Sequence, residues 1–116
     1  MKFQGGCHCQ KVQFEVELDL SQPAYECNCS HCAVKGMIMQ FIPEEQFTLT
    51  SGADDLTEYR FNKETIAHQF CSTCGVQPFA HASGPDGIPM VAINMRTITD
   101  IDLDTVTRNP FNGKDL

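Results

Sequence analysis

"VQFEVEL", residues 12–18, sets Val12, Phe14, Val16 and Leu18 against Gln13, Glu15 and Glu17. An extended backbone points successive side chains to opposite sides, so a period of two marks a strand with one buried and one wet face. Further strands are expected at 36–42 ("GMIMQFI"), 46–51 ("QFTLTS"), 56–62 ("LTEYRFN"), 66–71 ("IAHQFC"), 77–82 ("QPFAHA") and 89–94 ("PMVAIN"). Turn chemistry separates them at Pro43, Ser51-Gly52, Asn62-Lys63 and the stretch 83–87, "SGPDG". "PEEQ" (43–46) fits one helical turn opened by Pro43. No segment sustains a 3.6-residue apolar period over three turns. The expectation is a mainly β protein of small antiparallel sheets.

The 116 residues suit one domain, 1–116, without linker, repeat or low-complexity segment. A hydrophobic fraction of 41% is ordinary for a soluble chain. No apolar run has the length of a membrane span, and residues 1–20 lack the apolar centre of a signal peptide. A cytoplasmic location with no membrane partner is expected. The formal charge is −7, from 15 acidic and 8 basic residues, with no Lys/Arg cluster. That argues against nucleic acid as a partner, which needs a basic face. A small local pocket for an anion is still compatible with the charge, since Lys11, Lys35, Arg60, Lys63 and Arg96 are available. For any one of them, a solvated surface position is the plainer reading.

Seven cysteines in a reducing compartment are expected as metal ligands rather than disulfides, and their odd number spoils a full set of bridges. "FCSTCG" (70–75) has the form of a zinc knuckle: two residues between Cys71 and Cys74 let both sulfurs meet one ion, and Gly75 lets the backbone turn. Cys7 and Cys9 in "GCHC" make the natural second half if His8 points away. Together these four would close a structural tetrahedral site. "CNCSHC" (27–32) then stands alone with Cys27, Cys29 and Cys32. Three protein ligands and an open position describe a catalytic zinc. Two other readings stand beside it. His31, His68 or His81 would complete a closed Cys₃His site, or the triplet would be structural and Cys7 and Cys9 spare thiols.

The stretches "GGCHC", "CNCSHC", "FCSTCG", "VAINMRTI" and "NPFNGKDL" occur in the order that resembles the glutathione-dependent formaldehyde-activating enzyme family, from about Phe3 to Leu116. The resemblance implies a β-tent fold of small coiled sheets organised around zinc. It implies a structural Zn²⁺ on Cys7, Cys9, Cys71 and Cys74, and a second, catalytic Zn²⁺ on Cys27, Cys29 and Cys32 where the thiol of glutathione binds. The partners would be a small-molecule thiol and an aldehyde, and the activity that of a carbon–sulfur lyase making an S-hydroxymethyl adduct. After the triplet, relatives often carry a polar, Arg- or Ser-containing segment; here it is the apolar "AVKGM" (33–37), which bears on which thiol is recognised. A non-catalytic zinc module acting as a scaffold or regulator is the alternative function. A thiol redox enzyme would need a reactive cysteine outside the metal sites, and every cysteine belongs to a motif.

Overall fold

A computed structural model describes residues 1–60, 66–84 and 86–112. The alternating stretch becomes the middle strand of a three-stranded antiparallel sheet formed by β1 (Lys2–Gly6), β2 (Gln13–Glu17) and β5 (Phe47–Ser51). Phe3 faces Val16 across β1 and β2, and Phe14 faces Leu49 across β2 and β5. Val12, Phe14, Val16 and Leu18 are buried, whereas Gln13 is exposed and Glu15 and Glu17 are half-buried, so the period of two decides which face meets the core.

A seven-stranded sheet supplies the other side. It contains β3 (Ala24–Cys27), β4 (Met39–Pro43), β6 (Leu56–Tyr59), β7 (Ala67–Cys71), β8 (Phe79–Ser83), β9 (Pro89–Asn94) and β10 (Arg108–Phe111), in the order β10-β3-β4-β9-β8-β7-β6. Its pairings are antiparallel except β3 with β10. The single α-helix among the described residues, α1 (Ser30–Lys35), follows β3.

Both faces of the central strands β8 and β9 are covered, and their sequence shows why. Phe79, Val91 and Ile93 point into the main core with Phe14; the Phe14 and Phe79 rings meet edge-on at 6.2 Å. Their neighbours Ala80 and Ala92, paired across β8 and β9, turn to the opposite face, where they pack with Cys27, Cys32, Met37 and Met39. Two facing alanines leave a shallow floor on which the cysteine triplet sits. Large residues therefore fill one side and small ones make room on the other.

Most strand expectations meet their elements with altered ends. The strand expected at 89–94 is β9. That expected from 36 begins at Met39, because Gly36 takes the left-handed conformation (φ 68°) to end α1. Residues 44–46 form one 3-10 turn after Pro43, which moves the next strand's start to Phe47. Only part of the strand expected at 56–62 is seen, as β6, since 61 and 62 lie outside the described residues, as does the Asn62-Lys63 turn. Strands β1, β3 and β10 and the helix α1 carry no expectation from the sequence patterns. Phe70, which precedes the knuckle's Cys71, is half-buried and borders a surface cavity with Gly75, outside the main core.

Close approach explains the paired glycines before Cys7. A Cβ on Gly5 would stand 2.5 Å from the Phe14 ring and 2.7 Å from the Thr97 carbonyl oxygen. The Phe14 ring thus fills the space a side chain would need. Phe14→Ala should cost about 3–5 kcal/mol through lost burial and the cavity left behind. Urea unfolding checks this, and a variant with the parent's midpoint would mean the ring is not a core element.

Candidate metal centres

The first group of cysteines is built from two similar loops. After β1, the Cys7 amide donates to the Val12 carbonyl at 3.0 Å, and the Val12 amide donates back to Cys7 Sγ at 3.4 Å. Gln10, at φ 69°, takes the left-handed turn that lets this loop close. After β7, the Cys71 amide donates to the Val76 carbonyl at 2.9 Å, and the amides of Thr73 and Cys74 donate to Cys71 Sγ at 3.4 and 3.5 Å. Gly75, at φ 81°, supplies the turn expected of a knuckle glycine. His8 is exposed.

These loops bring Cys7, Cys9, Cys71 and Cys74 together with all four sulfurs within 4.8 Å of one another. The Cys7–Cys9 and Cys9–Cys71 sulfur separations are both 3.6 Å. A tetrahedron with Zn–S bonds of about 2.3 Å has edges of roughly 3.8 Å, so the set fits that ion. Amide N–H groups prepare two of its sulfurs for charge, whereas at Cys9 the Lys11 amide is outweighed by burial and the neighbouring thiols, which push the thiol up to about 11. Those of Cys9 and Val76 hold Cys74 well below the usual thiol range, at about 6, and that of Cys74 lowers Cys71. Thiolates are the form a metal binds.

The second group sits where β3 hands over to α1. Cys27 ends the strand, Cys29 caps the helix by accepting the Cys32 amide at 3.3 Å, and Cys32 lies in the first turn. The Cys29 amide donates to Cys27 Sγ at 3.5 Å. All three sulfurs lie within 4.8 Å of one another. Burial pushes the Cys27 and Cys32 thiols up; at Cys29 burial opposes ionisation, but the Cys32 amide and neighbouring donors outweigh it. Three thiolates could not share this apolar floor without a cation. A dication meets that need, and both groups could hold a metal ion. Among the described residues, which include all four histidines, no imidazole nitrogen or carboxylate oxygen joins either set.

The histidines weighed as a fourth ligand lie elsewhere. His81 packs edge-on to Phe79 at 5.3 Å. The His31 ring stacks on Tyr59 at 5.6 Å and tilts against His68 at 4.0 Å. His68 is buried, with Nδ1 3.1 Å from Gln77 Nε2.

A family model described as glutathione-dependent formaldehyde-activating enzyme matches residues 2–108. The chain belongs to that family. A crystal structure of a protein from Rhodobacter sphaeroides resembles it with a TM-score of 0.79 at 29% identity, covering 92% of this chain and 97% of that one. For the formaldehyde-activating family, glutathione and formaldehyde are the small molecules concerned, and zinc-capable cysteine clusters are in place here. Among the described residues no helix is long and apolar enough to cross a membrane.

Sequence reasoning had no signal for the surroundings of the triplet. An open cavity of about 520 Å³ lies beside α1, bordered by His31, Lys35, Tyr59 and Phe70. It depends on the β6–β7 pairing, which carries Tyr59 opposite His68. Burial, then the charges of His31 and Lys35, hold His68 at about 4. An unfolded histidine takes its proton near 6.5. Between those values the unfolded chain binds more protons than the folded one, so stability falls as pH drops from about 6.5 to about 4. The loss attributable to His68 should be on the order of 3 kcal/mol. Urea unfolding of parent and His68→Gln at several pH values checks it: the parent's slope should be steeper. Equal slopes would remove His68 as the cause.

Proposed function

We propose that this protein is a zinc-dependent carbon–sulfur lyase that condenses a thiol such as glutathione with formaldehyde or a similar aldehyde. The product is an S-hydroxymethyl adduct. In this reading Cys7, Cys9, Cys71 and Cys74 hold a structural zinc, and Cys27, Cys29 and Cys32 hold a catalytic one. The observation that carries it is the difference between the two groups: four sulfurs converge in one and three in the other, with no further donor among the described residues. Zinc on three thiolates supplies a soft, electron-rich site that favours another sulfur as ligand over the acidification of water.

The chain's own residues hold and orient. Cys29 is fixed by its cap to α1, and the Cys29 amide fixes Cys27, so the triplet is presented on a rigid turn. Ala80 and Ala92, with Met37 and Met39 beside them, pack against Cys27 and Cys32. The thiol sulfur forms a bond to the aldehyde carbon, the carbonyl π bond breaks, and the proton lost from sulfur ends on oxygen. Holding both reactants together supplies the rate gain of proximity. Burial, then the charges of His31 and Lys35, make His68 a weak base at neutral pH. A cytoplasmic setting, where low-molecular-weight thiols remain reduced, suits the substrate.

The reaction is tested by following exchange between ¹³C-formaldehyde and glutathione by NMR. Zinc-loaded protein should accelerate adduct formation well beyond the spontaneous rate. An unchanged rate would sink the enzymatic reading and favour a zinc module.

A further inference from the structure

The described ion pairs join the N-terminus to Glu17, Lys2 to Glu15, Arg60 to Glu58 and Arg108 to Glu26. Lys35 takes part in none of them, although the chain carries 15 acidic residues. Its ammonium is nevertheless held in place. Nζ donates to Gln77 Oε1 at 2.9 Å and lies 5.4 Å from the centroid of the Phe70 ring. Gln77 is 3% exposed, and its backbone carbonyl accepts the Asn94 side-chain amide at 2.9 Å. A buried neutral amide and an aromatic ring therefore position the charge without a carboxylate, while the Cys32 sulfur acts on it from the preceding turn. The charge borders the cavity described above, whose rim includes Val34, 89% exposed, and Tyr59, 48% exposed.

We propose that this cavity receives a carboxylate of the thiol substrate, with Lys35 as its counter-charge and the apolar rim covering the adjoining methylenes. The proposal rests on the thiol reading above. Its geometry follows from α1: Lys35 comes one turn after Cys32, and residues three apart are neighbours on a helix surface, about 5–6 Å apart at Cβ. In glutathione the glycine carboxylate is one residue beyond the thiol-bearing residue, a reach of roughly 7 Å over two extended residues. A ligand with its sulfur at the triplet can thus bring a carboxylate round the helix to Lys35. The short apolar segment after the triplet, "AVKGM", then contributes to thiol selection through its single charge.

The test is calorimetric titration of the zinc-loaded protein with glutathione and, separately, with 2-mercaptoethanol, which has no carboxylate. Parent, Lys35→Met and Lys35→Arg are compared after their melting temperatures are shown to match. Lys35→Met should weaken glutathione about tenfold while changing 2-mercaptoethanol less than about twofold, and Lys35→Arg should recover most of the loss. The parent's glutathione affinity should also fall with added salt more steeply than that of Lys35→Met. Unchanged glutathione affinity in Lys35→Met, or equal weakening of both thiols, overturns the carboxylate site and leaves the thiol reading intact. A parent that binds neither thiol overturns the thiol reading and this proposal with it.

Discussion

Cys71→Ser is expected to leave the domain unfolded or aggregated under conditions where the parent is folded. Cys71 is fully buried, and its sulfur accepts two amide N–H groups while lying 3.6 Å from Cys9 Sγ. The group it belongs to ties the start of the three-stranded sheet to the end of β7, 62 residues later. Binding of a structural zinc contributes about 10–16 kcal/mol. A domain's whole stability is about 5–15 kcal/mol, so a damaged site can cost more than the fold retains. Circular dichroism during heating checks this. A variant that melts cooperatively near the parent's temperature would remove the structural assignment of that group.

Cys29→Ser should behave in the opposite way. Cys29 caps α1 through its sulfur, and serine is itself a good cap, so the helix keeps its first-turn hydrogen bond. Cys29 is also less buried than Cys27 and Cys32 and lies at the border of their apolar cluster, where a hydroxyl costs less than in its interior. With the structural zinc bound in both, the variant should stay within about 1 kcal/mol of the parent in stability. It should retain one zinc per chain and lose both glutathione binding and acceleration of adduct formation. Zinc content by mass spectrometry and glutathione titration check it. If Cys29→Ser unfolds as Cys71→Ser does, and the parent never binds a thiol, both centres are structural.

The grouping of the cysteines into four and three was legible because ligand spacing is local: a CxxC with its glycine must curl, and a CxC beside a strand must present both sulfurs. The facing strands were legible where one side is wet, as in β2, and where turn residues bound them, as in β9. Other elements left no such trace. β10 is exposed at every position and is held by its parallel pairing with β3 and by the Phe111 ring against Tyr25 and Phe41. β1 offers one large apolar residue, Phe3, before two glycines. α1 is six residues long, too short for a helical period; its ends are set by the Cys29 cap and the left-handed Gly36. The cavity beside it joins residues from three separate stretches of chain, which no single stretch announces.

Zinc K-edge absorption, recorded on the zinc-loaded parent before and after saturation with glutathione, tests the open position most directly. With one site of four sulfurs and one of three, the spectrum should average about 3.5 sulfurs per zinc at about 2.3 Å, rising to about 4 when glutathione is added. An average of four sulfurs from the start, or a value that glutathione leaves unchanged, would contradict a triplet that keeps a place for a substrate thiol.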